Sequence, residues 1–204
     1  MVEKQLRPRG IHDARVLEAM AGVPREEFVP RSLRYIAYAD RALGIGRGQT
    51  ISQPLVVATI TEALALQPED SALEVGAGSG YQAAVLSRLA RQVVAIERLP
   101  ELAEAAAARL RRLSYDNVEV RAGDGTLGAP DRAPFAAIAV SAAAQQGIPE
   151  ALLEQLAEGG RLVIPLAAGY DLQQLTLVVK RDGVLEETVI CPVSFVPLIE
   201  SEES

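Results

Sequence analysis

Glu74-Val75-Gly76-Ala77-Gly78-Ser79-Gly80 is the stretch that decides the fold. The apolar strand Ala72-Leu73-Glu74-Val75 runs into glycines at every second position, and a helix is expected behind them from about Tyr81 to Arg91. Glycines in a strand-to-helix turn permit a tight bend and let a ligand approach the backbone. A dinucleotide-binding fingerprint would place its third glycine at position 81, with a pyrophosphate on the helix N-terminus. Tyr81 stands there instead. The loop suits a ligand without pyrophosphate, while a plain strand-to-helix turn stays open on the glycines alone.

Downstream, the pattern alternates. Val93-Val94-Ala95-Ile96 reads as a second strand closed by Glu97, and Pro100 opens a helix with Leu102, Ala106, Leu110 and Leu113 at helical spacing. Val118-Glu119-Val120, Phe135 to Val140 and Arg161-Leu162-Val163-Ile164 follow as strands, with Pro149 opening another helix. Repeated strand–helix units of this length imply a parallel sheet with helices on both faces. Leu175 to Val179 and Val184 to Val196 flank Asp182-Gly183, a strong hairpin signal, so the sheet should end antiparallel. Cys191, in that last strand region, reads as a small core residue.

Upstream, the first fifty residues read as short helices broken by Pro24 and Pro30. Asp13 begins a run in which Val16, Leu17 and Met20 share a face. Gly44-Ile45-Gly46-Arg47-Gly48 reads as a loop. Ser52 then precedes Pro54 and an apolar run to Leu66, which places Ser52 near a helix N-cap.

Composition bounds the chemistry. The 204 residues, 49% apolar and 23% charged, fit one soluble domain, with no signal segment and no membrane span. Cys191 is the only cysteine, which excludes an internal disulfide and a multi-thiolate metal site and points to the cytoplasm. His12 is the only histidine, so a Ser-His or Cys-His pair near the glycine loop and a multi-histidine metal site are excluded; no metal is expected. The formal charge of −7 argues against nucleic acid as partner. It is spread unevenly: Met1 to Thr50 holds nine Lys/Arg against six Asp/Glu, a local net of +3.

The strand ends converge on a ligand. Glu97 lies about twenty residues beyond the loop, where a carboxylate can accept both hydroxyls of a ribose. Gly123-Asp124-Gly125 follows the third strand and would bring a carboxylate to an adenine amino group, although Asp124 alone is an ordinary turn residue. Ligands of open α/β sheets bind at such strand ends. Together the three sites favour an adenosine ligand.

With these residues in view, the sequence resembles the protein-L-isoaspartate O-methyltransferase family from Gln5-Leu6 to Leu198. The likeness rests on Arg15-Val16-Leu17, Val23-Pro24-Arg25-Glu26, Phe28-Val29-Pro30, Gly48 to Pro54, Glu74 to Ala84, Gly123-Asp124-Gly125 and Phe195-Val196-Pro197-Leu198. Gln49 to Pro54 is the most specific part. The resemblance implies a doubly wound, mostly parallel, seven-stranded, Rossmann-like α/β fold. Its single domain would comprise an N-terminal helical segment (1–52), a cofactor-binding core (53–170) and a C-terminal hairpin with an acidic tail (171–204). It implies S-adenosyl-L-methionine as methyl donor, S-adenosyl-L-homocysteine as product, and the free carboxylate of L-isoaspartyl residues in damaged proteins as acceptor. Glu74, Gly76, Gly78, Ser79, Gly80, Glu97, Asp124 and Gly125 are the expected cofactor contacts. Ser52 matches the active-site serine, and Thr50, Ile51, Gln53 and Val196 match the substrate surroundings. A monomer is expected.

The chain departs from the family pattern at Ser114, Ala136, Ser141 and Gln145. The altered Ala142-Ala143-Ala144-Gln145 loop follows the fourth strand near the expected substrate mouth, so it bears on acceptor preference more than on the cofactor. Three other readings use the same residues: a methyltransferase acting on another carboxylate, a non-catalytic S-adenosylmethionine-binding module, and a nicotinamide-dependent reductase. The reductase lacks its glycine at Tyr81, and the binding module gives Ser52 no task.

Overall fold

The computed structural model describes residues 1–169 and 172–199. Helix α1 (Ala14–Gly22) starts where Asp13 turns its carboxylate back on the chain, accepting from the Arg15 and Val16 N–H groups. This bond satisfies donors that a helix start leaves unpaired. Pro24 and Pro30 then precede short 3-10 segments, Arg25–Phe28 and Arg31–Ile36.

The glycine-rich stretch after Ala42 is more ordered than a loop. Strands β1 (Leu43–Gly46) and β2 (Gln49–Ile51) pair antiparallel across Arg47 and Gly48, both at positive φ. Two successive left-handed residues make a turn whose twist matches a hairpin, which the glycine count alone did not reveal. Helix α2 (Pro54–Leu64) follows, with Gln53 as N-cap and no side-chain cap. Ser52 therefore stands one residue ahead of the cap.

The main sheet holds β3 (Ser71–Val75), β4 (Gln92–Glu97), β5 (Val118–Ala122), β6 (Phe135–Val140), β7 (Leu156–Ala167), β8 (Gln173–Arg181) and β9 (Val184–Val193). Their order is β5-β4-β3-β6-β7-β8-β9. The first five are parallel, and β8 and β9 are added as an antiparallel meander on β7. Asp182 and Gly183, both at positive φ, turn the last hairpin. Strands buried on both faces read as continuous apolar runs, and the buried stretches of β3, β4 and β6 do so apart from Glu74 and Glu97.

One face of the sheet packs on α1, α2, α3 (Tyr81–Leu86) and Leu110 of α4 (Pro100–Arg112). The other face meets Leu152 of α5 (Glu150–Glu154) and Ala129. Helix α3 is shorter than the expected Tyr81 to Arg91. The Asn117 side-chain amide donates to the carbonyls of Ser87 and Ala90 at 2.9 and 3.2 Å, a tertiary contact that takes up helix-end acceptors. Cys191 is half-buried against the core, and burial pushes its thiol pKa up.

Candidate active site

The order of the sheet reverses between β4 and β6, which flank β3 on opposite sides. That crevice is where open α/β sheets take their ligands. A cavity of about 300 Å³ lies there, lined by the glycine loop, Glu97 to Leu99 after β4, Ser141 and Ala142 after β6, the segment Gln49 to Gln53, and the chain after β9.

The glycine loop is held by its neighbour strand. The N–H groups of Gly76 and Ala77 both donate to the Ile96 carbonyl, at 2.8 and 3.0 Å. Gly76, Gly78 and Gly80 all have positive φ, which only glycine adopts freely. Gly80 does so to seat α3 against α4; a Cβ there would lie 3.1 Å from Leu110 Cδ1.

Two carboxylates enter this floor with different environments. Glu97 is tied at both oxygens: Gly78 N–H donates to Oε2 at 2.8 Å and Leu99 N–H donates to Oε1 at 3.0 Å. An ionised carboxylate has about four acceptor sites, so roughly two remain for further donors. Glu74, on β3, is 1% exposed, and its Oε2 has no hydrogen-bond partner. Burial, with the negative charge of Glu97 second, pushes its pKa well above the carboxylate range, against a smaller opposing pull from the Ala83 N–H. Buried polar atoms rarely stay unsatisfied. The pair fits a ligand with a vicinal diol for Glu97 and a cationic or donor group for Glu74, as S-adenosylmethionine offers.

The sequence-derived residues fall into two groups. Glu74, Gly76, Gly78, Ser79, Glu97, Gly125, Thr50, Ile51, Ser52, Gln53 and Val196 all line the one cavity. Gly80 and Asp124 do not. Asp124 turns its Oδ1 to the Thr126 N–H and hydroxyl at 2.8 and 2.7 Å, capping the turn that follows. Its neighbour Gly125 reaches the wall, where a Cβ would come within 2.4 Å of Val75 Cγ1. Ile51 is buried and belongs to the core as well, while Thr50 is exposed.

Segment Gln49 to Gln53 is fixed from outside. The Ser52 carbonyl accepts from Arg25 Nη2 at 2.7 Å, and Gln53 Nε2 donates to Asp40 Oδ1 at 2.7 Å. The chain after β9 is strapped across the cavity: Ala143 N–H donates to the Val196 carbonyl and Leu198 N–H to the Ala143 carbonyl, both at 2.8 Å. Gln173 adds two bonds to the Phe195 backbone. Sequence reasoning noted Ser141 as a departure and set the Ala142 loop near the substrate mouth without naming either as a contact, and it missed Arg98 and Leu99 on the wall. Their place just beyond β6 and β4 was the available signal. Buried Arg25 had none, because nothing in its neighbours sets it apart from a surface cation.

A crevice sheet of this order, with alternating glycines on its middle strand and a carboxylate at the end of the next, defines an S-adenosylmethionine-dependent methyltransferase. The family model described as protein-L-isoaspartate(D-aspartate) O-methyltransferase matches residues 1–203. The chain belongs to that family. A Methanoculleus marisnigri relative named protein-L-isoaspartate O-methyltransferase is 51% identical over 98% of this chain and 90% of its own. A solved structure of a protein-L-isoaspartate O-methyltransferase superposes with a TM-score of 0.85 at 32% identity; 97% of this chain matches, and it spans 65% of that longer chain. The Plasmodium falciparum structure of that name, in complex with S-adenosyl-L-homocysteine, gives a TM-score of 0.83 at 27% identity over 98% of this chain and 97% of its own.

Proposed function

We infer that this protein transfers a methyl group from S-adenosylmethionine to the free carboxylate of L-isoaspartyl residues in damaged proteins, which starts their repair. One observation carries the reading: the Gln49 to Gln53 segment and the glycine loop face one cavity. When bound, S-adenosylmethionine supplies a methyl on a sulfonium that departs as a neutral thioether. The protein's own task is to bind, align and dry the two reactants.

Glu97 holds the ribose hydroxyls, Glu74 offers its unpaired oxygen to a cationic group, and Gly76, Gly78, Ser79, Gly80, Asp124 and Gly125 shape and support the cofactor wall. Ser52 orients the acceptor carboxylate through its hydroxyl. The uncapped N–H groups at the start of α2 assist, since a helix start favours an anion. Thr50, Ile51, Gln53 and Val196 enclose the acceptor. A carboxylate with a pKa near about 4 is ionised at neutral pH, so no general base is needed and the single histidine is no handicap. The segment after β9, tied to Ala143 and Gln173, keeps water from the reacting atoms.

The described parts of segments 1–52, 53–170 and 171–204 act as one domain, since Leu6, Val57 and Leu175, one from each, share a core; the acidic tail from position 200 lies outside the described residues. The protein works as a monomer in the cytoplasm on isoaspartyl proteins and peptides. Its single cysteine and charge of −7 support that setting and a protein rather than nucleic-acid partner. Among the described residues no helix is long and apolar enough to cross a membrane.

Methyl transfer from labelled S-adenosylmethionine to an isoaspartyl peptide, with the matching aspartyl peptide as control, tests the reading. Label should enter the isoaspartyl peptide alone, and Ser52→Ala should slow it about tenfold or more, the worth of one hydrogen bond to a charged group. Cofactor binding without transfer to either peptide would move the function to another carboxylate or to a binding role.

A further inference from the structure

Arg25 is completely buried, and none of the functions above uses it. Among the described residues no carboxylate forms an ion pair with it. Its Nε donates to the Ala37 carbonyl at 2.8 Å and its Nη2 to the Ser52 carbonyl at 2.7 Å. Its Cζ lies 4.7 Å from the centroid of the Tyr81 ring, and Nη1 has no partner. Burial lowers its pKa, with the Tyr81 phenol opposing the fall.

A buried cation without a counter-ion is a poor way to stabilise a fold. Replacing buried ions by apolar groups of similar volume is often neutral or stabilising. The contacts suggest another use. Ser52 belongs to the acceptor side of the cavity, and Tyr81 is the first residue of α3, directly after Gly80 of the glycine loop. Arg25 touches both. The guanidinium is planar and presents its donors in a fixed fork, so its contacts have a set geometry.

We propose that Arg25 is a positioning residue for methyl transfer, a strut that fixes the Ser52 backbone against the Tyr81 end of the cofactor loop and so aims the Ser52 hydroxyl at the acceptor carboxylate. The role rests on Ser52 acting as proposed above. Small misplacements of reacting groups are expensive, about a hundredfold for about 1 Å. An exposed surface loop would tolerate such a shift; a reacting pair does not.

Arg25→Met and Arg25→Lys test the strut, each measured alone and in a Ser52→Ala background. For Arg25→Met, kcat for the isoaspartyl peptide should fall roughly 10- to 100-fold, with the cofactor Kd within about twofold of the parent. Lysine keeps the charge but not the fork, so it should not restore kcat. In the Ser52→Ala background Arg25→Met should cost less than about twofold, since coupled residues are non-additive. Hydrogen exchange should quicken at the backbone of Gln49 to Gln53 in Arg25→Met, whatever the acceptor. Unchanged exchange there, or fully additive losses of kcat, would overturn the proposal. Failure of the parent protein to methylate the isoaspartyl peptide would instead refute the functional reading, and the exchange result would still decide what Arg25 does.

Discussion

The glycine loop and the acceptor segment border the same cleft, yet they are held there by different parts of the chain. Gly76, Ala77 and Gly78 bond to Ile96 and Glu97 of the adjoining strand, about twenty residues away, within one βαβ unit. Ser52 is held by Arg25, Gln53 by Asp40, and the facing wall comes from Ala142 and Val196 at the far end of the chain. The cofactor side is thus a local device of two strands and a turn. The acceptor side is an assembly of segments distant in sequence. On the proposed function the first binds a constant molecule, and the second is where changes such as Ser141 and the Ala142 to Gln145 loop would alter preference without disturbing the donor.

This contrast predicts that damage to one side leaves the other intact. The largest effect should come from Glu97→Ala, which removes the proposed ribose acceptor and leaves the Gly78 and Leu99 N–H groups unpaired. Calorimetry should show cofactor affinity falling by roughly a hundredfold, as losing hydrogen bonds to a charged group costs about 1.5–3 kcal/mol each. An equal loss in acceptor affinity, with cofactor binding retained, would break the division.

Glu74→Gln sharpens it next. The folded-state pKa of Glu74 is raised, so the carboxyl's contribution to stability is full below its unfolded pKa and is lost as pH rises towards the folded value. The neutral amide escapes that loss. The variant's melting temperature should therefore gain on the parent's as pH goes from about 5 to about 8, within the window above the ordinary pKa of about 4.3. A pH-independent difference would show that Glu74 is ionised at no cost in the free protein.

The smallest effect is expected from Asp40→Ala. It frees Gln53 at the cavity rim and breaks an ion pair with Arg9 that is more than a third exposed. Exposed pairs are worth about 0–1 kcal/mol. The KM for the isoaspartyl peptide should rise a few-fold, with cofactor Kd unchanged. A larger change in cofactor binding than in KM would show that the acceptor rim supports both sides.

The same division explains how far the sequence could be read. The strand β6 falls on Phe135–Val140, as its apolar run predicts, because a strand buried on both faces needs such a run whatever surrounds it. The Asp182-Gly183 hairpin and the Asp13 cap are equally local. Helix α3 is overestimated because Asn117, thirty residues on, takes the carbonyls at its end. The glycine stretch at positions 44–48 hides a hairpin because a turn and a loop share one composition there. On the site, the strand-end rule expected Glu97, Asp124 and Gly125 at the ligand; Glu97 and Gly125 line the cavity, whereas Asp124 turns to the Thr126 N–H.

By itself the sequence determined the parallel sheet, the glycine turn at its middle and the strand-end carboxylate beside it. Those features depend on backbone conformation and on alternation between neighbours, both of which are written residue by residue. Only the tertiary structure decided that Arg25 has no exposure and holds Ser52, that Glu74 keeps an unpaired oxygen, and that the chain after β9 closes over the cleft. Burial and partnership are properties of the packed chain. An arginine between a proline and a glutamate carries the same side chain whether packing leaves it in water or seals it against the segment that holds Ser52.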